Sequence, residues 1–248
     1  MSSTTDHAPE IAVAPSTHFP QELARIRAVY ERRKLNVPAD RYSDANPRAA
    51  IFERERERRL RELLHRKCSE PLAAQRILDV GCGEGRWLRR FSQWGVAPDN
   101  LAGIDLLAER IGAARESCPS GVRLVCGSAS EIPFADGHLD IILCMNVMSS
   151  ILADGLRAAI ATEMLRVLRP GGCVLWYDFF VNNPANPDVR GVGKSEIARL
   201  FPSCHIELAR ITVAAPLGRA IAPLSFLYSA LAGCRMFCTH YLGWIRKR

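Results

Sequence analysis

The sequence predicts an α/β domain: one doubly wound, seven-stranded sheet, mostly parallel with an antiparallel last strand, behind an N-terminal helical extension. From residue 75 onward, short β-rich runs alternate with helical ones, as in parallel strands joined by crossover helices. The chain has 248 residues and a hydrophobic content of 48%, which is enough to bury a core. A glycine-rich turn follows the first strand, as in folds that hold a nucleotide at the carboxyl edge of the sheet.

The segments before this pattern predict a separate helical cap. Residues 1–20 lack a basic stretch followed by an apolar one, so we predict a flexible tail rather than a secretory leader. In residues 21–34 the apolar side chains Leu23, Ile26 and Val29 share one helical face. A second helix is predicted over 51–67, where alternating Glu and Arg residues are neighbours three and four residues apart and weakly stabilise a helix. We therefore assign residues 21–70 to the cap and 71–248 to the main domain.

Short β-rich runs that alternate with helical runs define the elements of the main domain. The predicted strands are Arg76–Val80, Leu101–Asp105, Val122–Cys126, Asp140–Met145, Cys173–Asp178, His205–Val213 and Thr239–Ile245. The helices between them are predicted at Trp87–Trp94, Leu107–Ser117, Leu156–Leu168 and Ser195–Phe201. An unusually apolar insert, residues 214–235, separates the last two strands.

Charge and cysteine content indicate the class of ligand and the cellular compartment. Lys and Arg number 33 against 26 acids, so the net charge of +7 favours phosphates, anionic lipid or acidic substrates. Nine cysteines, an odd number, several in apolar runs, indicate reduced thiols and a cytoplasmic protein. The stretch Ala220–Cys234 is shorter than the ~20 residues that span a bilayer, so a membrane contact through 214–235 would be peripheral. Cys234, Cys238 and His240 lack a fourth ligand, and no metal is predicted.

The glycine-rich turn is the motif that carries chemistry. Gly81, Gly83 and Gly85 allow positive φ angles, and they let the backbone approach a ligand without an intervening Cβ. Twenty residues beyond Gly85, Asp105 ends the next strand, at the distance where an acid accepts hydrogen bonds from ribose hydroxyls. Together the turn and the acid predict a nucleoside site.

The details of the turn argue against a nicotinamide dinucleotide. Dinucleotide sites use G-x-G-x-x-G, whereas this chain has G-x-G-x-G and places Arg86 at the next position. Asp79, just ahead of the turn, would repel a diphosphate. A carboxylate there instead suits a cationic ligand that bears an amino group and a sulfonium.

Residues 75–172 resemble the class I S-adenosylmethionine-dependent methyltransferases, which have a Rossmann-like sheet. The resemblance rests on the turn Asp79–Gly85, on Asp105, and on the segments 126–134, 139–147 and 168–172. It implies S-adenosylmethionine as the cofactor. The cofactor-binding residues that it implies are Asp79, Gly81, Cys82, Gly83, Gly85, Asp105, Leu106, Ser128, Ala129 and Cys144.

Methyl transfer from a sulfonium is an in-line displacement, so the enzyme mainly aligns the reactants and needs a base only where the acceptor keeps its proton. The fourth and fifth strands end beside the expected methyl position, which makes Asn146 a candidate positioning residue and Asp178 a candidate base. The fourth-strand exit lacks the Asn/Asp-Pro-Pro-Tyr/Phe sequence of adenine and glutamine methylation, and no RNA-binding module is visible. We therefore expect no nucleic-acid substrate.

Two flanking segments, 41–56 and 177–192, resemble a bacterial methyltransferase subgroup linked to surface-polysaccharide assembly. This resemblance implies that Tyr42 covers the cofactor. It also implies that Tyr177, Asn182, Asn183 and Arg190 contact an oxygen-rich acceptor.

The sequence thus predicts O-methylation of a sugar, a glycan or another small molecule, free or lipid-linked. One alternative is a quinone- or polyketide-type C- or O-methyltransferase with a hydrophobic acceptor pocket. The other is a non-catalytic subunit that binds the cofactor without an open acceptor cavity. The sequence leaves the oligomeric state open.

Overall fold

The computed structural model describes residues 18–36, 46–214, 217–218, 228 and 231–248. Seven strands form one sheet in the order β3-β2-β1-β4-β5-β7-β6. Only β7 runs antiparallel to its neighbours, and the predicted fold class is confirmed. The strands are β1 (Ile77–Val80), β2 (Leu101–Asp105), β3 (Arg123–Cys126), β4 (Leu139–Met145), β5 (Leu168–Phe179), β6 (Cys204–Val213) and β7 (Cys238–Lys247).

Helices cover both faces of the sheet, which explains why β1, β2 and β4 are buried along their whole length. One face packs against α1, α5 and α6, and the other packs against α2, α3 and α4. The helices are α1 (Pro20–Asn36), α2 (Pro47–Lys67), α3 (Arg86–Gln93), α4 (Ala108–Ser117), α5 (Asp154–Val167) and α6 (Lys194–Leu200).

Parallel strands bring their carboxyl ends to one edge of the sheet. The glycine turn after β1, Asp105 of β2 and Asn146 after β4 all lie on this carboxyl edge. Because β7 is antiparallel, its first residue, Cys238, lies at the same edge as Val213 at the end of β6. The carboxyl edge therefore gathers residues from both ends of the domain.

One predicted turn is part of a strand. Residues 168–172 were expected to precede the fifth strand, but they belong to β5. Register with β4 jumps from the pair Leu139 and Leu168 to the pair Ile141 and Cys173, so a bulge absorbs the extra residues. Gly171 has a φ of 78° inside this bulge. Pro-Gly-Gly typically signals a turn, and here it forms the bulge between two pairings of β5 with β4.

The remaining boundaries agree with the predicted ones to within a few residues. Helix α1 begins at Pro20, the last residue of the predicted tail. Residues 1–17, Tyr42 and most of the insert 214–235 lie outside the described residues.

Candidate functional site

A cavity opens at the carboxyl edge, between the sheet and helix α1. In open α/β sheets, ligands generally bind in a crevice at this edge. Loops after β1, β2, β3 and β4 form its floor, and α1 and α5 contribute an apolar wall. Its lining includes Gly81, Asp105, Leu106, Ser128, Ala129, Asn146 and Val147 from the loops, and Leu23, Ile26, Tyr30, Leu156 and Ile160 from the helices.

The glycine turn is tightly packed, and the structure shows why it needs glycine. Gly81 has a φ of 68°, and a Cβ at this position would lie 2.7 Å from a methyl carbon of Val147. Gly85 has a φ of 76° and caps the start of α3, where a Cβ would collide with the thiol of Cys118. Backbone therefore forms the cavity wall at Gly81, as close approach to a ligand requires.

Asp105 joins the turn to the second strand. Its Oδ2 accepts a hydrogen bond from the Gly83 amide at 2.8 Å, and its Oδ1 accepts one from the Leu107 amide at 2.9 Å. The side chain is buried yet lines the cavity. A carboxylate offers roughly four acceptor positions, so two amide bonds leave capacity for ligand hydroxyls.

Three predicted cofactor residues lie behind the cavity wall. Asp79 is buried on the α2 side of the sheet, and burial raises its pKa well above the usual range; nearby Asp105 raises it further, while Arg56 lowers it. Cys82 packs against Gly103, and burial raises the pKa of this thiol. Cys144 is also buried with a raised pKa, for the same reason. The two thiols act here as small packing groups.

Helix α1 closes one side of the cavity through Tyr30. The guanidinium of Arg110 lies 4.5 Å from the centre of the Tyr30 ring, and the Tyr30 hydroxyl is 3.4 Å from that of Ser150. All three residues line the cavity. Sequence reasoning missed Tyr30 and Arg110, although the apolar face of α1 was a signal that this helix packs on the domain.

Polar contacts fix α1 to the loop between β4 and α5. The Glu22 carboxylate accepts hydrogen bonds from the amides of Leu152 and Ala153, at 2.6 and 3.3 Å, just before α5 begins. Arg25 donates to the Ser150 carbonyl at 2.7 Å. The helix and the loop therefore form one unit of the cavity wall.

Asn146, the candidate positioning residue, lies on the cavity rim. It is exposed and has a φ of 58°, a left-handed conformation that asparagine tolerates better than most residues. Its amide donates to the Tyr177 carbonyl at 2.7 Å. Its side-chain amide can donate and accept hydrogen bonds at the end of the cofactor cavity.

Asp178, the candidate base, lies beside the cavity rather than in its lining. Its carboxylate accepts hydrogen bonds from the amides of Ser149 and Phe179, both at 2.9 Å. Burial raises the pKa of Asp178 to about 6, against the opposing effect of these bonds. The contact with Ser149 fixes the loop that carries Asn146.

Tyr177 points to the opposite face of the sheet, into a buried polar cluster beneath α2. Its hydroxyl is 3.0 Å from the Thr212 hydroxyl, its ring stacks on His240 at 4.9 Å, and the Arg56 guanidinium lies 4.8 Å from the ring centre. Burial raises the pKa of Tyr177 to about 12. Burial, and then Arg56, lower the pKa of His240 to about 3.

The other predicted acceptor residues stabilise the loop after β5. Asn182 accepts a hydrogen bond from the Gly191 amide at 2.9 Å, and Asn183 accepts one from the Ala185 amide at 3.1 Å. Arg190 forms ion pairs with Asp154 and Glu196. None of the three lines the cofactor cavity.

Among the described residues, no group of three or more His, Cys, Asp and Glu side chains could hold a metal ion. In the same part of the chain, no helix is long and apolar enough to cross a membrane.

Comparisons with known proteins agree with this geometry. Residues 77–172 match the family model described as a methyltransferase domain. A tRNA N(3)-cytidine methyltransferase, METTL2 of Gallus gallus, is 30% identical over 115 residues, which cover 43% of this chain and 31% of the relative. A fatty-acid O-methyltransferase of Mycolicibacterium smegmatis is 36% identical over 105 residues, covering 42% and 37%. The chain thus spans less than half the length of these relatives.

Among solved structures, the N-methyltransferase NodS of Bradyrhizobium japonicum, in complex with S-adenosyl-L-homocysteine, aligns with a TM-score of 0.66 and 18% identity. The alignment covers 90% of this chain and 98% of NodS, so the likeness extends to the helical cap and the last strands. The glycine turn, Asp105 and most of the cavity floor fall within the family match at 77–172. The chain therefore has the fold of solved methyltransferases, and residues 77–172 resemble a methyltransferase domain.

Proposed function

We propose that the protein transfers a methyl group from S-adenosylmethionine to an oxygen atom of a small-molecule or glycan acceptor. The observation that carries the proposal is the cavity between α1 and the carboxyl edge of the sheet, with Gly81, Asp105 and Ser128 along one wall.

The residues around the cavity fit the cofactor. Asp105 can accept hydrogen bonds from ribose hydroxyls, and the apolar wall of Ile26, Leu156 and Ile160 suits a flat adenine ring. Gly81 leaves the backbone bare where the methionine chain would pass. Asp105 places a carboxylate in the cavity lining beside the turn, which favours a ligand that carries positive charge.

When bound, S-adenosylmethionine supplies a methyl group on a positively charged sulfur. The task left to this chain is alignment and exclusion of water. Asn146 is the exposed polar side chain at the β4 exit, and it can orient an acceptor hydroxyl through its side-chain amide. Tyr30 and α1 cover the other end of the cavity.

Asp178 has two candidate roles. A pKa of about 6 leaves it mostly ionised at neutral pH, which suits a base for the acceptor hydroxyl, although its carboxylate lies beside the cavity rather than in its lining. Its bonds to the amides of Ser149 and Phe179 also make it a positioning residue for the Asn146 loop. A pH profile separates these roles, as set out in the Discussion.

An acceptor oxygen is supported by two observations. One relative carries the name fatty-acid O-methyltransferase. The β4 exit, Met145-Asn146-Val147, lacks the sequence associated with methylation of adenine or glutamine amino groups. The half-buried aromatic residues Phe179 and Phe180 at the end of β5 favour the second candidate, a quinone- or polyketide-type acceptor with a planar ring.

The first test is calorimetric titration with S-adenosylmethionine and S-adenosylhomocysteine. We expect micromolar binding by the wild type and binding on the order of 10²-fold weaker in Asp105→Ala, which loses charged hydrogen-bond acceptors. Asp136→Ala is the matched control, because its side chain is 80% exposed and far along the sheet from the turn. Absence of binding by folded wild-type protein would contradict the proposal.

The second test is an acceptor screen that measures release of S-adenosylhomocysteine. Sugar nucleotides, lipid-linked sugars, quinones, free fatty acids and tRNA form its arms. Turnover with an oxygen acceptor supports the proposal, and Asn146→Ala should then lower kcat with little change in cofactor affinity. Turnover with tRNA alone contradicts it, and cofactor binding without turnover in any arm favours the non-catalytic subunit.

A further inference from the structure

The exposed apolar side chains of the described residues are concentrated at one edge of the sheet. Five large apolar side chains are exposed in this part of the chain, and four of them belong to segments at the carboxyl edge. They are Val181, Leu217, Met236 and Phe237, and we refer to them as the apolar rim. Met236 is the most exposed of the four, at 79%.

Backbone pairing brings these segments together. The Ala214 amide donates to the Phe237 carbonyl at 2.9 Å, and the Gly218 amide donates to the Ala214 carbonyl at 2.8 Å. Leu217 therefore lies within one helical turn of the strand end that pairs with Phe237. On the other side of β7, the Phe180 amide donates to the Thr239 carbonyl at 3.0 Å, which places Val181 beside the start of β7.

Two exposed arginines, Arg210 and Arg235, lie in the segments that carry the rim. Arg235 is exposed and directly precedes Met236, and Arg210 is exposed with its guanidinium 5.0 Å from the centre of the Phe180 ring. Apolar side chains flanked by arginines are the combination that binds an anionic bilayer surface, because the apolar groups enter the interface while the cations meet lipid headgroups.

We propose that the apolar rim docks the protein on a membrane that contains anionic lipid. The rim lies on the same edge as Asn146 and the cofactor cavity, so docking turns the methylation site toward the bilayer. An acceptor anchored by a lipid chain could then reach the site while its chain stays in the membrane. Membrane docking goes beyond methyl transfer, and it can be measured without any acceptor or cofactor.

The test is co-sedimentation of the full chain with vesicles of phosphatidylcholine alone or of an equimolar phosphatidylcholine and phosphatidylglycerol mixture. We expect binding to the mixed vesicles, weak binding to phosphatidylcholine, and release as salt rises from about 0.1 to 0.5 M, because salt screens charges at the surface. The double variant Met236→Ser/Phe237→Ser and the variant Arg235→Glu should each reduce partitioning by at least about tenfold.

Leu35→Ser is the matched control, because Leu35 is the fifth exposed apolar side chain, at 86%, and lies at the end of α1. It should bind vesicles like the wild type. Equal calorimetric binding of S-adenosylhomocysteine, or equal melting temperatures where no cofactor binds, shows that each variant is folded. Equal vesicle binding by wild type and rim variants, or no binding by the wild type, overturns the proposal. The proposal is also overturned if the wild type is a dimer that binds no vesicles and the rim variants are monomers. In that case the apolar rim binds a second copy of the chain.

Discussion

The Asp105 carboxylate and the Gly83 amide are joined by a hydrogen bond of 2.8 Å, so the acid that ends β2 also fixes the turn that follows β1. The same carboxylate accepts the Leu107 amide at the start of α4. The side chain that we propose to bind the cofactor therefore also stabilises the fold.

Asp105→Asn should lower the free energy of unfolding even without ligand. An asparagine side chain accepts through one oxygen only, and its NH₂ group would face the second amide donor. We expect a loss of about 1–3 kcal/mol in urea denaturation, the cost of leaving a buried donor unsatisfied. Asp136→Asn should change stability little. Unchanged stability of Asp105→Asn would show that the two amides find other partners.

Gly81→Ala should be destabilising through a clash that a second substitution relieves. The added Cβ would lie 2.7 Å from a Val147 methyl carbon, at a φ of 68° that alanine adopts poorly. We expect a loss of about 1–3 kcal/mol, of which Val147→Ala in the same chain restores part, since the φ strain remains. Gly112→Ala, in helix α4 with open space around it, should stabilise instead. Additive effects of Gly81→Ala and Val147→Ala would contradict this account.

Tyr30 should contribute to cofactor affinity through its ring rather than its hydroxyl. The ring lies under the Arg110 guanidinium and lines the cavity, whereas the hydroxyl makes one contact of 3.4 Å with Ser150. Tyr30→Ala is therefore expected to weaken binding of S-adenosylhomocysteine by about tenfold, and Tyr30→Phe by much less. Calorimetry measures both. Equal losses in the two variants would assign the effect to the hydroxyl.

His240 should make the protein acid-sensitive. Its pKa is about 3 when folded, below the usual value of about 6.5, so the unfolded chain binds the proton more tightly between these values. Its contribution to stability is complete above about pH 6.5 and is lost as the pH falls toward 3. His240→Gln should flatten the fall in melting temperature between about pH 6.5 and 4.5. His205→Gln, at an exposed site, is the control. An unchanged fall in melting temperature in His240→Gln would assign the acid sensitivity to other groups.

Asp178→Asn should distinguish a base from a positioning residue. If Asp178 takes the acceptor proton, kcat of the wild type rises with pH around 6, where the carboxyl ionises. The variant then loses most of its activity, and its kcat no longer rises with pH in this range. If it only fixes the Asn146 loop, asparagine still accepts the Ser149 amide through its oxygen. Activity then falls modestly and the pH profile keeps its shape. The kcat values of wild type and variant are compared over about pH 5–8.

The sheet could be predicted from the sequence because the patterns that indicate strands are local. Buried parallel strands read as continuous apolar runs, and β2 was predicted at Leu101–Asp105, the bounds that the structure gives. The glycine turn and Asp105 could also be found, because their spacing is fixed along the chain. The strand assignment of residues 168–172 could not, since their Pro-Gly-Gly pattern is part of β5 only as a bulge between two pairings with β4.

The other face of the cavity was not predictable because it depends on distant contacts. Tyr30 lies 80 residues from Arg110 and 120 from Ser150 in sequence, and no local pattern links them. For Asn182 and Asn183, residue type suggested contact with an acceptor, whereas their oxygens accept amides of their own loop. Asparagine in a Pro-rich loop satisfies backbone donors as readily as it binds ligands, and only the fold distinguishes the two uses.

Strand β7 fills the gap between β5 and β6, and among the described residues β6 pairs with no other strand. During synthesis, β6 therefore leaves the ribosome before β7 exists, and the edge of β6 stays unpaired until residues 238–247 follow. A truncation or frameshift ahead of Cys238 would expose the edges of two strands, not one, and would present them for pairing with other chains. Residues 238–247 thus protect earlier strands from aggregation, although β7 has only ten residues.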